Sequence, residues 1–178
     1  MKSRVLLVAT FLSIGIFSQA NSICTDTIPA NLKDVESADA IVAAVYQVIS
    51  GPAGEKRNWN RMRSLFLPEA RMIATGKRAD GTISKRVMTV EDYIKNSGPL
   101  LEKDGFFERE LSKKTEEFGN IIHRFSTYDS KRKVEDEKPF ARGINSFQLW
   151  NDGTRWWVVT IFWQGESKDN PIPEKYLN

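Results

Sequence analysis

The chain has 178 residues, enough for one domain with a sizeable hydrophobic core. It carries 26 lysines and arginines against 23 aspartates and glutamates, a formal net charge of +3, and no run of basic residues interleaved with aromatic ones indicates a nucleic-acid-binding surface. Cys24 is the only cysteine, which excludes an internal disulfide, so we expect a free or intermolecularly paired thiol.

The first 20 residues have the parts of a secretory signal peptide. Lys2 and Arg4 form a positive start, residues 5–17 are apolar, and residues 18–20 (SQA) are a small-x-small cleavage sequence. The apolar run is shorter than the ~20 residues that span a membrane. We therefore expect cleavage after residue 20, a secreted or periplasmic protein and no membrane attachment. Lipidation of Cys24 is less favoured, because a bulky isoleucine precedes it.

Two helices are predicted early in the mature chain. Ser37 caps the first, whose apolar residues recur every three or four positions until Gly51-Pro52 ends it. A short second helix carries Trp59 and Phe66 and stops before Pro68.

A short hairpin and a third helix follow. Residues 71–75 and 82–87 are strand-like and flank an Ala-Asp-Gly turn. Thr89 begins a helix with a capping-box-like Thr-x-x-Asp pattern, and Gly98-Pro99 is expected to kink or break it.

The rest of the chain is strand-like. Residues 105–112 and 119–128 are two strands joined by a charged segment, and residues 129–137 form a charged loop. Residues 138–164 hold four of the five tryptophans around Asn151-Asp152-Gly153, which predicts a β-hairpin. Residues 165–178 are polar and predict a loosely docked tail.

Both faces of the last strand are apolar. Simple alternation places Trp156, Val158 and Phe162 on one face and Trp157, Val159, Ile161 and Trp163 on the other. A sheet covered on one face only does not have this pattern, so we expect the tail or a second subunit to cover the outer face. The same reasoning predicts a homodimer through the sheet face. Glu108 and Glu110 are expected to be exposed charges.

The order of elements predicts an α+β fold. About three N-terminal helices precede a long antiparallel meander, so the helices should lie on one face of a curved, mostly antiparallel sheet. We divide the chain into a signal peptide (1–20), a flexible leader (21–34), the domain (35–165) and a C-terminal tail (166–178).

A family resemblance appears in the spacing of these elements. Tyr46 near the end of the first helix, the segment 64–70 (SLFLPEA), a short strand and the closing strand within 153–164 resemble the nuclear transport factor 2-like superfamily, with its SnoaL-like and ketosteroid isomerase-like branches. The resemblance covers residues 35–164. It implies a cone-shaped sheet wrapped around the helices, an apolar pocket and a dimer face on the sheet.

In the isomerase branch, the resemblance implies a tyrosine and a strand acid that polarise a substrate oxygen, and an aspartate that moves the proton. Tyr46 matches the tyrosine, and Asn145 stands where the strand acid would be. The proton-transfer position falls near Ala74, where there is no carboxylate. Proton transfer by that mechanism therefore lacks its base.

The candidate site residues follow from these patterns. Tyr46 and Asn145 are candidate hydrogen-bond donors in a pocket. Tyr46 is equally interpretable as a core tyrosine with a satisfied hydroxyl, whereas a buried Asn145 needs partners and is favoured as a pocket or hydrogen-bond-network residue. His123 is the only histidine and the candidate acid or base; its alternative is an ordinary sheet residue. Apolar candidates for the pocket wall are Trp59, Phe66 and Phe147.

Two functions remain open. The first is binding of a small hydrophobic molecule or a protein partner without catalysis, which the missing base favours. The second is a cofactor-free lyase or isomerase in which His123, Tyr46 and Asn145 act on a small hydrophobic substrate. No metal-ligand set and no Gly-rich phosphate loop is present, so we expect no metal or cofactor.

Overall fold

A computed structural model describes residues 28–178 of the chain. The predicted signal peptide and Cys24 therefore lie outside the described residues. The helices are α1 Leu32–Val35, α2 Ala38–Ile49, α3 Trp59–Leu65 and α4 Val90–Asp104, and a 3-10 turn follows at Glu174–Tyr176. The strands are β1 Phe66–Lys77, β2 Ile83–Met88, β3 Phe107–Phe118, β4 Ile121–Lys131, β5 Ala141–Asn151 and β6 Trp156–Gly165. Over residues 28–178, no helix combines the length and apolarity that a membrane crossing requires.

The helix α2 starts and ends where its sequence predicts. The side chain of Ser37 accepts a hydrogen bond from the backbone N–H of Ala40, which satisfies one of the free donors at the helix start. The apolar stripe of α2 is buried against the sheet and includes Tyr46. The helix α1, which crosses the boundary expected between leader and domain, packs beside α2.

The third predicted helix, α4, is not broken at Gly98-Pro99. It runs without interruption from Val90 to Asp104 behind the expected capping box of Thr89 and Asp92. The Trp59 ring packs against the helix here, and a Cβ atom added at Gly98 would lie 3.0 Å from that ring. Pro99 has no backbone N–H and cannot donate a helical hydrogen bond. The contact with Trp59 stabilises the helix at this position.

The strands form one six-stranded sheet in the order β2-β1-β6-β5-β4-β3. Every neighbouring pair is antiparallel except β1 and β6, which are parallel. The helices α2 and α4 pack on its inner face, so the predicted α+β architecture of helices inside a curved, mostly antiparallel sheet is confirmed. The strand β1 begins at Phe66, earlier than predicted, and its pairing is interrupted between Phe66 and Arg71, where Pro68 lies.

The β5–β6 hairpin forms as predicted, but the faces of β6 do not follow simple alternation. Gln148 pairs with Thr160 and Leu149 pairs with Val158, so Val159 is an extra residue in a β-bulge. The bulge reverses the alternation. Ile161 and Trp163 therefore join the inner face with Val158, whereas Trp157 and Phe162 face outward.

The charged segment 113–117 belongs to β3 and is not a connecting loop. It pairs with β4 in continuous register up to Phe118 opposite Ile121. Gly119, at a φ of +56°, makes the tight turn between the two strands. This end of the hairpin extends beyond the helices, which explains why the side chains of residues 113–118 are exposed.

The C-terminal tail packs on the outer face of the sheet. The hydroxyl of Thr127 donates to the carbonyl oxygen of Tyr176 at 2.6 Å, and the rings of Phe125 and Tyr176 lie 5.5 Å apart. The tail thus covers part of the apolar outer face, as expected.

Candidate functional site

A cavity of about 290 Å³ lies between α2, α4 and the inner face of the sheet. Aromatic rings supply much of its wall: Tyr46, Tyr93, Phe106, Tyr128, Phe140, Phe147 and Trp163. Aliphatic side chains from α2, α3, β1 and β6 supply most of the rest. The polar atoms are few, and they converge from five elements, namely α2, α4, β3, β4 and β5. An apolar cavity with a small convergent polar group is the usual form of a small-molecule site.

Glu108 on β3 is the carboxyl group of this cavity. Its pairing with Ser130 on β4 turns its side chain inward, so the expectation of an exposed charge is wrong. The hydroxyl of Ser130 donates to Oε2 of Glu108 at 2.7 Å, and the amide nitrogen of Asn145 lies 3.4 Å from Oε1. Burial raises the pKa of Glu108 to about 7, against the effect of these two contacts, and the nearby charge of Asp129 raises it further.

A chain of hydrogen bonds fixes the direction of the Tyr46 hydroxyl. The hydroxyl of Ser126 donates to a carboxylate oxygen of Glu110, and the Tyr46 oxygen lies 2.6 Å from that same hydroxyl. A hydroxyl has one proton, so Ser126 accepts from Tyr46. The amide nitrogen of Asn145 in turn donates to the Tyr46 oxygen at 3.0 Å. The proton of Tyr46 is therefore committed to Ser126 and is not free for a ligand.

A charged cluster at the protein surface holds Glu110, the last acceptor in this series of hydrogen bonds. The guanidinium of Arg124 contacts the carboxylates of Glu110 and Asp39, and Lys113 also contacts Asp39. Arg124 is buried although it is charged, because the two carboxylates compensate it. The cluster keeps Glu110 in place as an acceptor, which in turn orients Ser126 and Tyr46.

The hydroxyls of Tyr93 and Tyr128 are the free phenols of the cavity. Within residues 28–178 neither of them takes part in a hydrogen bond, although both line the cavity beside Glu108. Burial raises the pKa of both phenols well above the usual range, and the Glu108 charge adds to the effect, so both stay protonated. Gly143 makes room for Tyr128, since a Cβ atom at residue 143 would lie 2.5 Å from its hydroxyl oxygen.

The candidate residues named from the sequence do not all meet in this cavity. Tyr46, Asn145 and Phe147 do, with the rings of Tyr46 and Phe147 6.1 Å apart in an edge-to-face arrangement. Phe66 is buried in the core, and Trp59 packs against α4 and donates to Glu102 at 3.0 Å. Neither lines the cavity.

His123 lies on the outer face of the sheet, opposite to the cavity. Its Nε2 is 3.1 Å from the hydroxyl of Ser146, and its Nδ1 is 3.9 Å from a carboxylate oxygen of Glu116. The ring also packs edge-on against Phe125. The sheet separates His123 from Tyr46 and Asn145, so the three do not form one constellation.

Glu108 is the candidate site residue that the sequence did not indicate. The sequence of β4 carries a signal for it. Every second residue from 124 to 130 is polar or carries a hydroxyl, and all four of these side chains are buried: Arg124, Ser126, Tyr128 and Ser130. A strand of that kind needs polar partners on the next strand, and Glu108 and Glu110 supply them. The described residues contain no group of three histidine, cysteine or acidic side chains placed to hold a metal ion.

Comparison with known proteins supports the fold. No protein-family model matches the chain, and no curated protein matches it either. Among solved structures, a protein of unknown function with a cystatin-like fold from Nostoc punctiforme superposes with a TM-score of 0.52 at 11% identity, covering 72% of this chain and 87% of that one. An NTF2-like protein of unknown function from Shewanella baltica matches with a TM-score of 0.45 at 14% identity, covering 72% and 90%.

A protein from Shewanella frigidimarina, named provisionally as a ketosteroid isomerase, matches with a TM-score of 0.48 at 11% identity, covering 76% of this chain and 98% of that one. At sequence identities this low, a structural likeness is evidence for a shared fold and not for a shared function. The likeness with a TM-score of 0.52 shows a fold shared with the Nostoc punctiforme protein, and the six-stranded, mostly antiparallel sheet with helices on its inner face agrees with the fold that the sequence resemblance implies.

Proposed function

We propose that the inner cavity binds a small, mostly apolar molecule that carries one polar group. The observation that supports this most directly is the Glu108 carboxyl beside the hydroxyls of Tyr93 and Tyr128 in an aromatic cavity. Both hydroxyls border the cavity and make no hydrogen bond within residues 28–178. A ligand with one polar group can bond to a phenol or to the carboxyl while its apolar part contacts the rings.

The polar contacts available to this ligand come from Glu108, Tyr93 and Tyr128 and not from Tyr46. The Tyr46 proton is held by Ser126, and Asn145 is engaged with Tyr46. We therefore assign Asn145 the task of positioning Glu108, and Tyr46 the tasks of holding Asn145 and shaping the wall.

The test begins with mass spectrometry of small molecules retained by the purified protein, followed by calorimetric titration of the molecule found. Tyr128→Phe and Glu108→Gln should each weaken its binding about tenfold, the scale of one hydrogen bond in a dry site. Tyr176→Phe is the matched control, since Tyr176 lies on the outer face. Unchanged affinity in both cavity variants would exclude the cavity as the site.

A second candidate function is cofactor-free acid–base catalysis of the lyase or isomerase type. It is favoured by the pKa of Glu108, about 7, because a general acid or base is most effective near the working pH. The Ala74 position on β1 carries no carboxylate, so β3 would supply the acid or base in its place. Turnover of the retained molecule, with a rate that follows one titration near pH 7 and is lost in Glu108→Gln, would support this candidate over simple binding.

A further inference from the structure

The walls of the inner cavity combine one carboxyl group with many aromatic rings and no basic side chain. Among the described residues that line it, none is lysine, arginine or histidine. Arg132 stacks on the ring of Phe140 with its guanidinium carbon 4.2 Å from the ring centre, but it does not line the cavity. Glu108 also borders a second cavity, of about 660 Å³, whose lining includes Arg109, Lys113, Arg124 and Lys131, but within residues 28–178 none of these forms an ion pair with it. On the side of the inner cavity the protein supplies no counter-charge.

The neutral contacts of Glu108 leave it with unused acceptor capacity. Ser130 donates to one oxygen, and the Asn145 contact to the other is long at 3.4 Å. A carboxylate can accept about four hydrogen bonds. At least one direction at Oε1 therefore remains for a donor or a positive charge inside the cavity.

The aromatic rings favour the same kind of partner. Tyr46, Tyr93 and Tyr128 come from α2, α4 and β4, so their rings approach the cavity from different directions. The faces of aromatic rings attract cations, and the attraction grows to about 2 kcal/mol or more where water is excluded. Proteins use aromatic cages to hold alkylated ammonium groups, and here Glu108 adds a carboxyl group to such a wall.

We propose that the ligand of this cavity is a small organic cation, an amine or quaternary ammonium, whose charge is balanced by Glu108 and whose alkyl groups contact the surrounding rings. This inference rests on the proposed function, because it names the chemical class of the molecule that the cavity binds. It also explains why an acid stands alone in an apolar wall, since the counter-ion arrives with the ligand.

Binding of such a cation should depend on pH through Glu108. The groups that face this carboxyl are Tyr46 from α2, Tyr93 from α4, and Tyr128 and Asp129 from β4. The three phenols stay protonated at neutral pH because burial raises their pKa values. Glu108 is then the cavity group that gains its charge between pH 5.5 and 8.5, so the affinity for a cation should rise over this range.

The experiment compares choline with its neutral isostere 3,3-dimethylbutan-1-ol by calorimetry on the full mature protein. At pH 8.5 choline should bind at least about tenfold more tightly than the isostere, and at pH 5.5 this preference should largely vanish. Glu108→Gln should remove the preference at pH 8.5. Glu116→Gln should keep it, because Glu116 is an exposed carboxylate on the same strand, with 89% of its side chain accessible.

Equal affinity for the two probes at pH 8.5, or a preference that survives in Glu108→Gln, would overturn the inference. Binding of the neutral isostere alone would also overturn it while leaving the cavity as a ligand site. If neither probe binds, the cation inference fails, and the retained-molecule experiment decides separately whether the cavity binds ligands at all. If the Glu108→Gln variant does not fold, the comparison of wild-type binding at pH 5.5 and pH 8.5 tests the Glu108 charge in its place.

Discussion

A carboxyl group buried without a cation titrates differently in the folded and unfolded chains. The pKa of Glu108 is about 7 in the fold and close to its ordinary value of 4.5 when unfolded. Below about pH 4.5 both states hold the proton. As the pH rises from 4.5 to 7 the unfolded chain loses it first, so stability falls over this window and stays lower above it, by up to about 3 kcal/mol.

Glu108→Gln should therefore make the protein more stable at pH 8 and leave its stability nearly unchanged at pH 5. The amide keeps the shape of the side chain but carries no charge that must be buried. Urea unfolding of wild type and variant at both pH values measures the difference. Glu116→Gln is the control and should show no such pH dependence, as its side chain is exposed. If the free energies of unfolding of wild type and Glu108→Gln differ by the same amount at pH 5 and pH 8, the Glu108 charge is not buried.

Only some features of the cavity residues can be predicted from the sequence. The family resemblance in the sequence implies that Tyr46 and Asn145 are pocket residues, and both line the cavity. The direction of the Tyr46 proton could not be predicted, because it depends on Glu110 accepting from Ser126 on the neighbouring strand. Which face of β3 points inward is likewise decided by pairing with β4, and pairing across strands is not visible in local alternation.

At the scale of elements, local patterns predicted where most helices and strands lie, and tertiary contacts decided the exceptions. The capping residues Ser37 and Thr89 mark real helix starts. The β-bulge at Val159 was not predictable from alternation. The extra residue moves the following side chains to the opposite face of the sheet, and the amino-acid composition of the strand gives no sign of it. The charged part of β3 has loop-like composition, yet it is a strand because β4 supplies its backbone partners.

The link between α2 and α3 is organised by one buried arginine. The guanidinium of Arg57 donates to backbone carbonyls of five residues in three segments, with distances of 2.5–3.3 Å, and these are Ile49, Gly51, Pro52, Glu55 and Leu101. It thereby ties the end of α2 and the following loop to α4. The sequence did not single out this residue, since nothing in its neighbourhood marks it as buried.

Arg57→Ala should destabilise the protein by about 3 kcal/mol, because it leaves several buried carbonyl groups without donors. Arg57→Lys should recover part of the loss, as an ammonium group reaches fewer of these carbonyls. Arg63→Ala is the comparison. Arg63 also joins two helices, through Glu91, but at a half-exposed position where an ion pair contributes about 1 kcal/mol or less. Urea unfolding should separate the two alanine variants, and equal losses would show that Arg57 is no more important than a surface ion pair.

At the scale of the whole molecule, the sequence predicts that the chain is exported and shortened. N-terminal sequencing of protein from the extracytoplasmic fraction should begin at Asn21, after the small-x-small sequence at residues 18–20. Leu12→Arg places a charge within the apolar run and should retain the chain in the cytoplasm. Wild-type protein recovered from the cytoplasm with Met1 or the uncleaved leader still attached would contradict export.

The outer face of the sheet carries a row of apolar residues on its four adjacent strands β3, β4, β5 and β6. Phe118, Ile121, Trp150 and Trp157 are successive cross-strand partners on β3, β4, β5 and β6. Phe118 is 84% exposed and Ile121 58% exposed. This row replaces the surface expected from the sequence, because the bulge turns Ile161 and Trp163 inward. A contiguous exposed apolar row of this kind is typical of an interaction surface, and we propose that a second copy of the chain covers it.

Ile121→Asp should convert the dimer to monomers, because it places a charge at the centre of the apolar row without removing buried core. Trp157 is a poorer position to change, since its ring packs under Arg155 and its indole N–H donates to Asp152. Ile83→Asp is the matched control: it introduces the same change at an exposed isoleucine on β2, away from the row, and should leave the dimer intact. Sedimentation over a range of protein concentrations gives the mass of each species, and circular dichroism confirms that both variants are folded. A wild-type chain that sediments as a monomer at the highest concentration would leave the row without its proposed partner.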